Sequence, residues 1–175
     1  MAPVIALTGF MGSGKTTVGK MTADSLGWTF VDLDKIVETR SGRSVPDIFA
    51  KEGETVFRGM ESAALLDLLE GASDGGGLVL ALGGGTLISP EVRTRLREGA
   101  LVVYLEIDAD EAWRRVSASD RPLARDRRAF ADLLSERQAL YEAAADHTVR
   151  VAGKSPGVIA GEVAGVVQAY MGEKS

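Results

Sequence analysis

Short apolar runs alternate with longer stretches in which apolar residues recur every three or four positions, and that alternation predicts the architecture. Strands are expected over residues 3–8, 28–33, 78–82, 101–107 and 148–151. Helices are expected over 14–26, 35–40, 44–50, 54–70, 89–98, 108–116, 129–145 and 155–170, with a polar loop over 117–128. Leu78-Val79-Leu80-Ala81-Leu82 shows no polar alternation, as a strand covered on both faces requires. The punctuation agrees with these limits. Gly27 and Ser41-Gly42 stop two helices, and Ser89-Pro90, Asp108 and Ser155-Pro156 cap or open three others. In the 54–70 helix, Val56, Met60, Ala63, Ala64 and Leu68 mark the apolar face.

Strand and helix in alternation imply a parallel sheet with helices on both faces. The expected fold is α/β, a three-layer α/β/α arrangement around a central five-stranded parallel sheet. No internal repeat, low-complexity tract or linker divides residues 1–175, so a single domain is expected. Such sheets bind ligands beyond the carboxyl ends of their strands. The polar groups expected there are the 9–16 segment, Asp32 and Asp34, Gly83-Gly84-Gly85, and an arginine-rich loop.

The 9–16 segment reads G-F-M-G-S-G-K-T, between an apolar strand and a helix. That context makes it a phosphate-binding loop. Glycines let successive N–H groups curl around an anion, and Gly12, Ser13 and Gly14 lead into a helix N-terminus whose dipole favours the same charge. Lys15 reaches the β- and γ-phosphates, and the Thr16 hydroxyl is placed to ligate Mg²⁺. The segment predicts nucleoside triphosphate binding and does not say to what end.

Composition narrows the class. Apolar residues make up 45% of the 175, enough for a real core. There is no cysteine, which excludes disulfides and thiol catalysis, and the single histidine, His147, is expected to be structural. A net charge of −5 argues against a nucleic-acid-coating surface. No run is long enough to span a membrane, and no basic leader precedes the first strand, so a cytoplasmic location is expected.

Asp32 and Asp34, two apart at a strand end, can point the same way. One suits Mg²⁺ and the other an acceptor hydroxyl, although a turn and a helix cap also favour aspartate. Glu106, at the end of another strand, is a rival for the metal. Glu54, Arg58 and Glu61 share one helix face, which alone reads as an exposed ion-pair ladder. The three glycines permit close approach of a ligand to backbone, or form a tight turn. Residues 114–128 hold six arginines against two aspartates, suiting a lid over a transferring phosphoryl group, with Arg121 at its centre. Arg137 and Tyr141 read as a surface pair.

These motifs together resemble the shikimate kinase family over essentially the whole chain: GFMGSGKTTVGK, DLD at 32–34, SGRSVPDIFAKEGETVFRGMES, LALGGG, RPL at 121–123 and ERQALY at 136–141. The resemblance implies a P-loop kinase fold with a substrate-binding insert at about 34–61 and a lid at about 115–128. It implies transfer of the ATP γ-phosphoryl group to the 3-hydroxyl of shikimate, on the route to aromatic amino acids, with Mg²⁺. Asp34 would hold the shikimate hydroxyls and is the candidate base. Asp32 and Thr16 would support Mg²⁺. Arg58 and Arg137 would bind the carboxylate, with Glu61 orienting Arg58. Gly83, Gly84 and Gly85 would line the pocket beside Phe49, Phe57, Pro122 and Leu123. Thr17 would join the phosphate loop in binding ATP, Arg121 would touch the phosphates, and Arg115 and Lys154 would lie near adenine. The expected partners are shikimate and ATP, with no nucleic acid or membrane, and the expected state is a monomer. A gluconate-type kinase, a silent ATP-binding regulator and a GTPase are the alternatives. The paired arginines together with Asp32 and Asp34 argue against the first, the intact Lys15, Asp34, Arg58, Arg121 and Arg137 against the second, and the lack of an NKxD run against the third.

Overall fold

The structure is a computed structural model that describes residues 3–71, 76–117 and 126–173. Five parallel strands form one sheet: β1 (Val4–Thr8), β2 (Thr29–Asp32), β3 (Leu78–Ala81), β4 (Leu101–Glu106) and β5 (His147–Arg150). Their order is β2-β3-β1-β4-β5. β1 is central, pairing with β3 from Val4↔Leu78 and with β4 from Ile5↔Leu101. Every residue of β1 and β3 is buried, which explains their unbroken apolar runs. The chain passes from β1 to the β3–β2 side, then from β3 across to β4 and β5. A sheet whose connections change direction in this way binds ligands where the change occurs.

Seven α-helices connect the strands among the described residues: α1 (Lys15–Leu26), α2 (Leu33–Ser41), α3 (Val45–Gly71), α4 (Pro90–Gly99), α5 (Ala109–Val116), α6 (Arg127–Ala144) and α7 (Pro156–Glu173). α1 packs on α7, α3 on α4, and α4 and α6 against β4. None is long and apolar enough to cross a membrane.

Several expectations need correction. The helices expected over 44–50 and 54–70 form α3, broken by Gly53 at φ 84 and ψ 172. Of the apolar face expected there, Ala64 is buried and Met60 and Leu68 pack against the core, but Val56 is 41% exposed and Ala63 is also exposed, while Phe57, Glu61 and Leu65 are buried instead. Phe57 turns inward against Phe49, 4.7 Å between ring centroids, and Glu61 finds polar partners inside. α2 begins at Leu33 because Asp32 ends β2 and accepts from the Asp34 N–H at 3.2 Å. α6 begins at Arg127, where the Asp126 carboxylate caps the N–H groups of Arg128 and Ala129. A 3-10 turn, Thr86–Ile88, follows the triple glycine, where no element was expected.

Candidate active site

The loop leaving β1 is a backbone device. Gly9, Gly12 and Gly14 have φ of 142°, 84° and 91°, a region L-residues avoid. A Cβ on Gly9 would also stand 2.7 Å from the Leu105 carbonyl oxygen. Ser13 is buried beneath the loop, and Thr17 lies exposed on the first turn of α1. The Lys15 ammonium folds over the loop and donates to the carbonyls of Gly9 (2.7 Å) and Phe10 (3.1 Å).

The Thr16 hydroxyl donates to Asp32 Oδ2 at 2.8 Å, so the two oxygen groups expected to support a metal meet at one point. A hydroxyl and a carboxylate are hard donors of the type Mg²⁺ prefers, alongside phosphate oxygens. The rival Glu106 instead accepts from Arg150 at 2.9 Å. It borders a separate cavity of about 390 Å³ with Asp108, Ser135, Gln138 and Arg150.

Beside the loop lies a crevice of about 360 Å³ lined by Gly12, Ser13, Gly14, Thr17, Arg115 and Lys154, among others. Arg115 donates to the Gly12 carbonyl (3.0 Å) and pairs with Glu111 (2.5 Å). Lys154 pairs with Glu162 at 2.8 Å.

A second cluster gathers on Gly83-Gly84-Gly85, just past β3. Gly83 and Gly85 are crowded by side chains and have no unusual backbone angles. A Cβ on Gly83 would stand 2.5 Å from Glu61 Oε1, 2.9 Å from Asp34 Oδ1 and 3.1 Å from Thr86 Oγ1. One on Gly85 would overlap the Arg58 guanidinium, 2.6 Å from its central carbon. One on Gly84 would meet Arg137 Nη1 at 3.6 Å. The turn therefore brings Asp34 from α2, Arg58 and Glu61 from α3 and Arg137 from α6 to one place.

Arg58 is held on several sides. Nη1 donates to Glu61 Oε2 (2.7 Å), while Nε and Nη2 face Glu54 (3.2 and 3.1 Å). Its guanidinium lies 5.1 Å from the Phe57 ring centroid and 5.9 Å from that of Phe49, a cation–π arrangement. The expected exposed ladder is thus half interior: Glu61 is 1% exposed and also accepts from the Thr86 hydroxyl at 2.5 Å.

Tyr141 is no surface residue. It is 1% exposed, its ring lies against Tyr104 at 5.3 Å, and its hydroxyl donates to the Gly84 carbonyl at 2.6 Å. Phe130, Leu134 and Tyr141 form the buried stripe of α6, so helical spacing held the signal. Thr86 had no such signal, since a single threonine after three glycines implies no partner.

Burial, then the Glu61 and Asp32 carboxylates, push the Asp34 carboxyl up to about 6, against the pull of Lys15 and Arg58. Burial pushes the Tyr141 hydroxyl up to about 12, so it stays a donor at neutral pH. Arg121, with Pro122 and Leu123, lies outside the described residues.

Residues 11–168 match the family model described as shikimate kinase. A shikimate kinase of Marinomonas sp. (strain MWYL1) is 40% identical over 174 residues, covering 97% of this chain and 94% of that protein. One of Salinispora arenicola (strain CNS-205) is 41% identical over 172 residues, covering 97% and 100%. Among solved structures, shikimate kinase from Acinetobacter baumannii in complex with shikimate superposes with a TM-score of 0.88 at 34% identity, covering 97% of this chain and 95% of that one. Shikimate kinase from Aquifex aeolicus gives a TM-score of 0.83 at 33% identity, covering 96% and 98%.

Proposed function

The chain belongs to the shikimate kinase family, and from that premise we propose how its residues divide the work of moving the γ-phosphoryl group of ATP to the 3-hydroxyl of shikimate. The protein is a kinase with ATP as donor, and its products are shikimate 3-phosphate and ADP. The observation that carries the residue-level reading is the convergence of Asp34, Arg58, Glu61 and Arg137 on the turn after β3.

In this reading the phosphate loop and the α1 N-terminus hold the triphosphate through backbone N–H groups. Gly12, Ser13, Gly14, Thr16 and Thr17 supply that cradle. Lys15 leaves its loop carbonyls for the phosphates, and Arg121 approaches them from the lid at about 115–128. Thr16 and Asp32 support Mg²⁺, which neutralises charge building on the phosphate oxygens. Arg115 and Lys154 border the adenine crevice.

On the acceptor side, Arg58 and Arg137 hold the carboxylate of shikimate, since planar guanidinium groups match carboxylate geometry. That carboxylate replaces Glu54 at the Arg58 edge while buried Glu61 keeps the other edge fixed. Gly83, Gly84 and Gly85 line this pocket, facing the insert at about 34–61. Asp34 meets the hydroxyl end. At neutral pH it lies above its own value of about 6, so it is mostly ionised and accepts the hydroxyl proton. A loose phosphoryl-transfer transition state asks little of a base, so holding the hydroxyl in line is the larger task. In this reading the protein works as a monomer in the cytoplasm, where ATP is supplied.

A coupled assay of ADP release, with shikimate compared against quinate, gluconate and nucleoside monophosphates, tests this reading. Turnover with shikimate at least about 100-fold above the rest is expected: nucleoside monophosphates lack a carboxylate for the paired arginines, and quinate and gluconate, which carry one, do not bring a hydroxyl into the same line between Asp34 and the phosphates. Comparable turnover with gluconate would reject the acceptor assignment.

A further inference from the structure

The two oxygens of buried Glu61 have different surroundings. Oε2 accepts from Arg58 Nη1 at 2.7 Å. Oε1 accepts from the Thr86 hydroxyl at 2.5 Å, and Thr86 is itself only 1% exposed. Glu61 Oε1, Asp34 Oδ1 and Thr86 Oγ1 all lie within 3.1 Å of the point where Gly83 would carry a Cβ. Arg58 takes Oε2, so the orientation of the carboxylate turns on Oε1, where Thr86 is the neutral donor.

Thr86 is held in place by its own surroundings. It opens the 3-10 turn, where its N–H donates to the Gly83 carbonyl at 3.2 Å and the Ile88 N–H donates to that of Gly85 at 3.1 Å. Arg93 Nη1 clamps the far side of the turn through the carbonyls of Leu87 (2.6 Å) and Ile88 (3.0 Å). The hydroxyl is thus presented to Glu61 by a fixed backbone.

We propose that Thr86 is a positioning residue for the phosphoryl transfer: its hydroxyl anchors one oxygen of Glu61 so that the other stays turned toward Arg58. Arg58 then stays aligned for the acceptor's carboxylate. This rests on the reading of Arg58 given above. Without the hydroxyl, Oε1 loses its donor and the Glu61 carboxylate rotates away from Arg58 Nη1.

The test uses the whole enzyme with Thr86→Val, which keeps the shape, Thr86→Ala, which removes the hydroxyl with less bulk, and Thr86→Ser, which restores it. Both substrates are varied. Val and Ala are expected to raise the shikimate KM about tenfold, since hydrogen bonds to charged groups carry that much. They are also expected to leave the ATP KM within about twofold, with Ser close to wild type. Val and Ala behaving like wild type would overturn the proposal. So would a Ser variant as impaired as Val, because the backbone of the turn would then be what matters. Arg58→Ala, measured beside them, separates the two readings. If it raises the shikimate KM while Thr86→Val is silent, only the role of Thr86 fails. If Arg58→Ala is itself silent, the acceptor reading fails and takes Thr86 with it.

Discussion

Around the phosphate loop a single stretch of chain supplies nearly every group, while around Gly83-Gly84-Gly85 the groups arrive from α2, α3, the 3-10 turn and α6. Gly14 and Gly85 show the two regions using glycine for different reasons. Gly14 sits at φ 91°, with only Val18 Cγ2 within reach of an added Cβ, at 3.8 Å, so a side chain there would be strained rather than crowded. Gly85 has an ordinary φ of −114°, and a side chain there would strike the Arg58 guanidinium. In the proposed reading the donor half would hold its ligand with backbone in unusual conformations, and the acceptor half with charged side chains packed against one another. Triphosphates are alike in the part the loop touches, so that half can serve many enzymes. Selectivity for one acceptor has to come from the packed half.

The comparison is broken most strongly at Lys15. Lys15→Ala is expected to lower kcat by about 10²–10³, as removal of one stabilising cation or donor does. Activity near wild type would mean the loop does not carry the donor phosphates.

Two alanine substitutions sharpen the contrast. Gly14→Ala is expected to destabilise the protein by about 1–2 kcal/mol through its left-handed backbone, and to raise the ATP KM. Gly85→Ala is expected to displace Arg58 and raise the shikimate KM about tenfold, with the ATP KM unmoved. If each variant disturbed both substrates alike, the two halves would not be separately built.

Asp34 gives the smallest and most diagnostic effect. Its folded carboxyl titrates near 6 against an ordinary 3.8, so it binds its proton more tightly in the native state. That contribution favours folding below about pH 4 and is lost as pH rises through about 6. Asp34→Asn is therefore expected to raise Tm by a few degrees at pH 8 while lowering turnover and leaving ATP binding intact. The wild-type kcat/KM for shikimate is expected to fall on the acid side with a midpoint near 6. A lower Tm for Asp34→Asn at pH 8 would show that the carboxylate stabilises the fold rather than strains it.

The same contrast explains what the chain disclosed before its structure was known. A phosphate loop is contiguous, and its flanking strand and helix are strongly periodic, so Gly12 to Thr16 were legible from spacing alone. The strands were legible because a sheet covered on both faces needs unbroken apolar runs. The acceptor half was legible in its charges, which the family resemblance named, but not in what holds them. Spacing of i, i+4 puts Arg137 and Tyr141 on one face of α6 without saying that this face turns inward. A buried glutamate such as Glu61 contradicts the usual meaning of its residue type and is tolerated only because Arg58 and Thr86 satisfy it. Those partners lie far apart in sequence, and no local pattern records them. The lid arginine Arg121 falls outside the described residues, so its place rests on the motif.

The central claim is that donor and acceptor sites are separate constructions meeting between Asp32 and Asp34. The most direct measurement is steady-state kinetics of Arg58→Ala with shikimate and ATP each varied. A shikimate KM raised about 10–100-fold with the ATP KM within about twofold is the predicted result, as loss of a charge-assisted contact to one substrate alone would give. A parallel rise in both KM values, or no change in either, would contradict it.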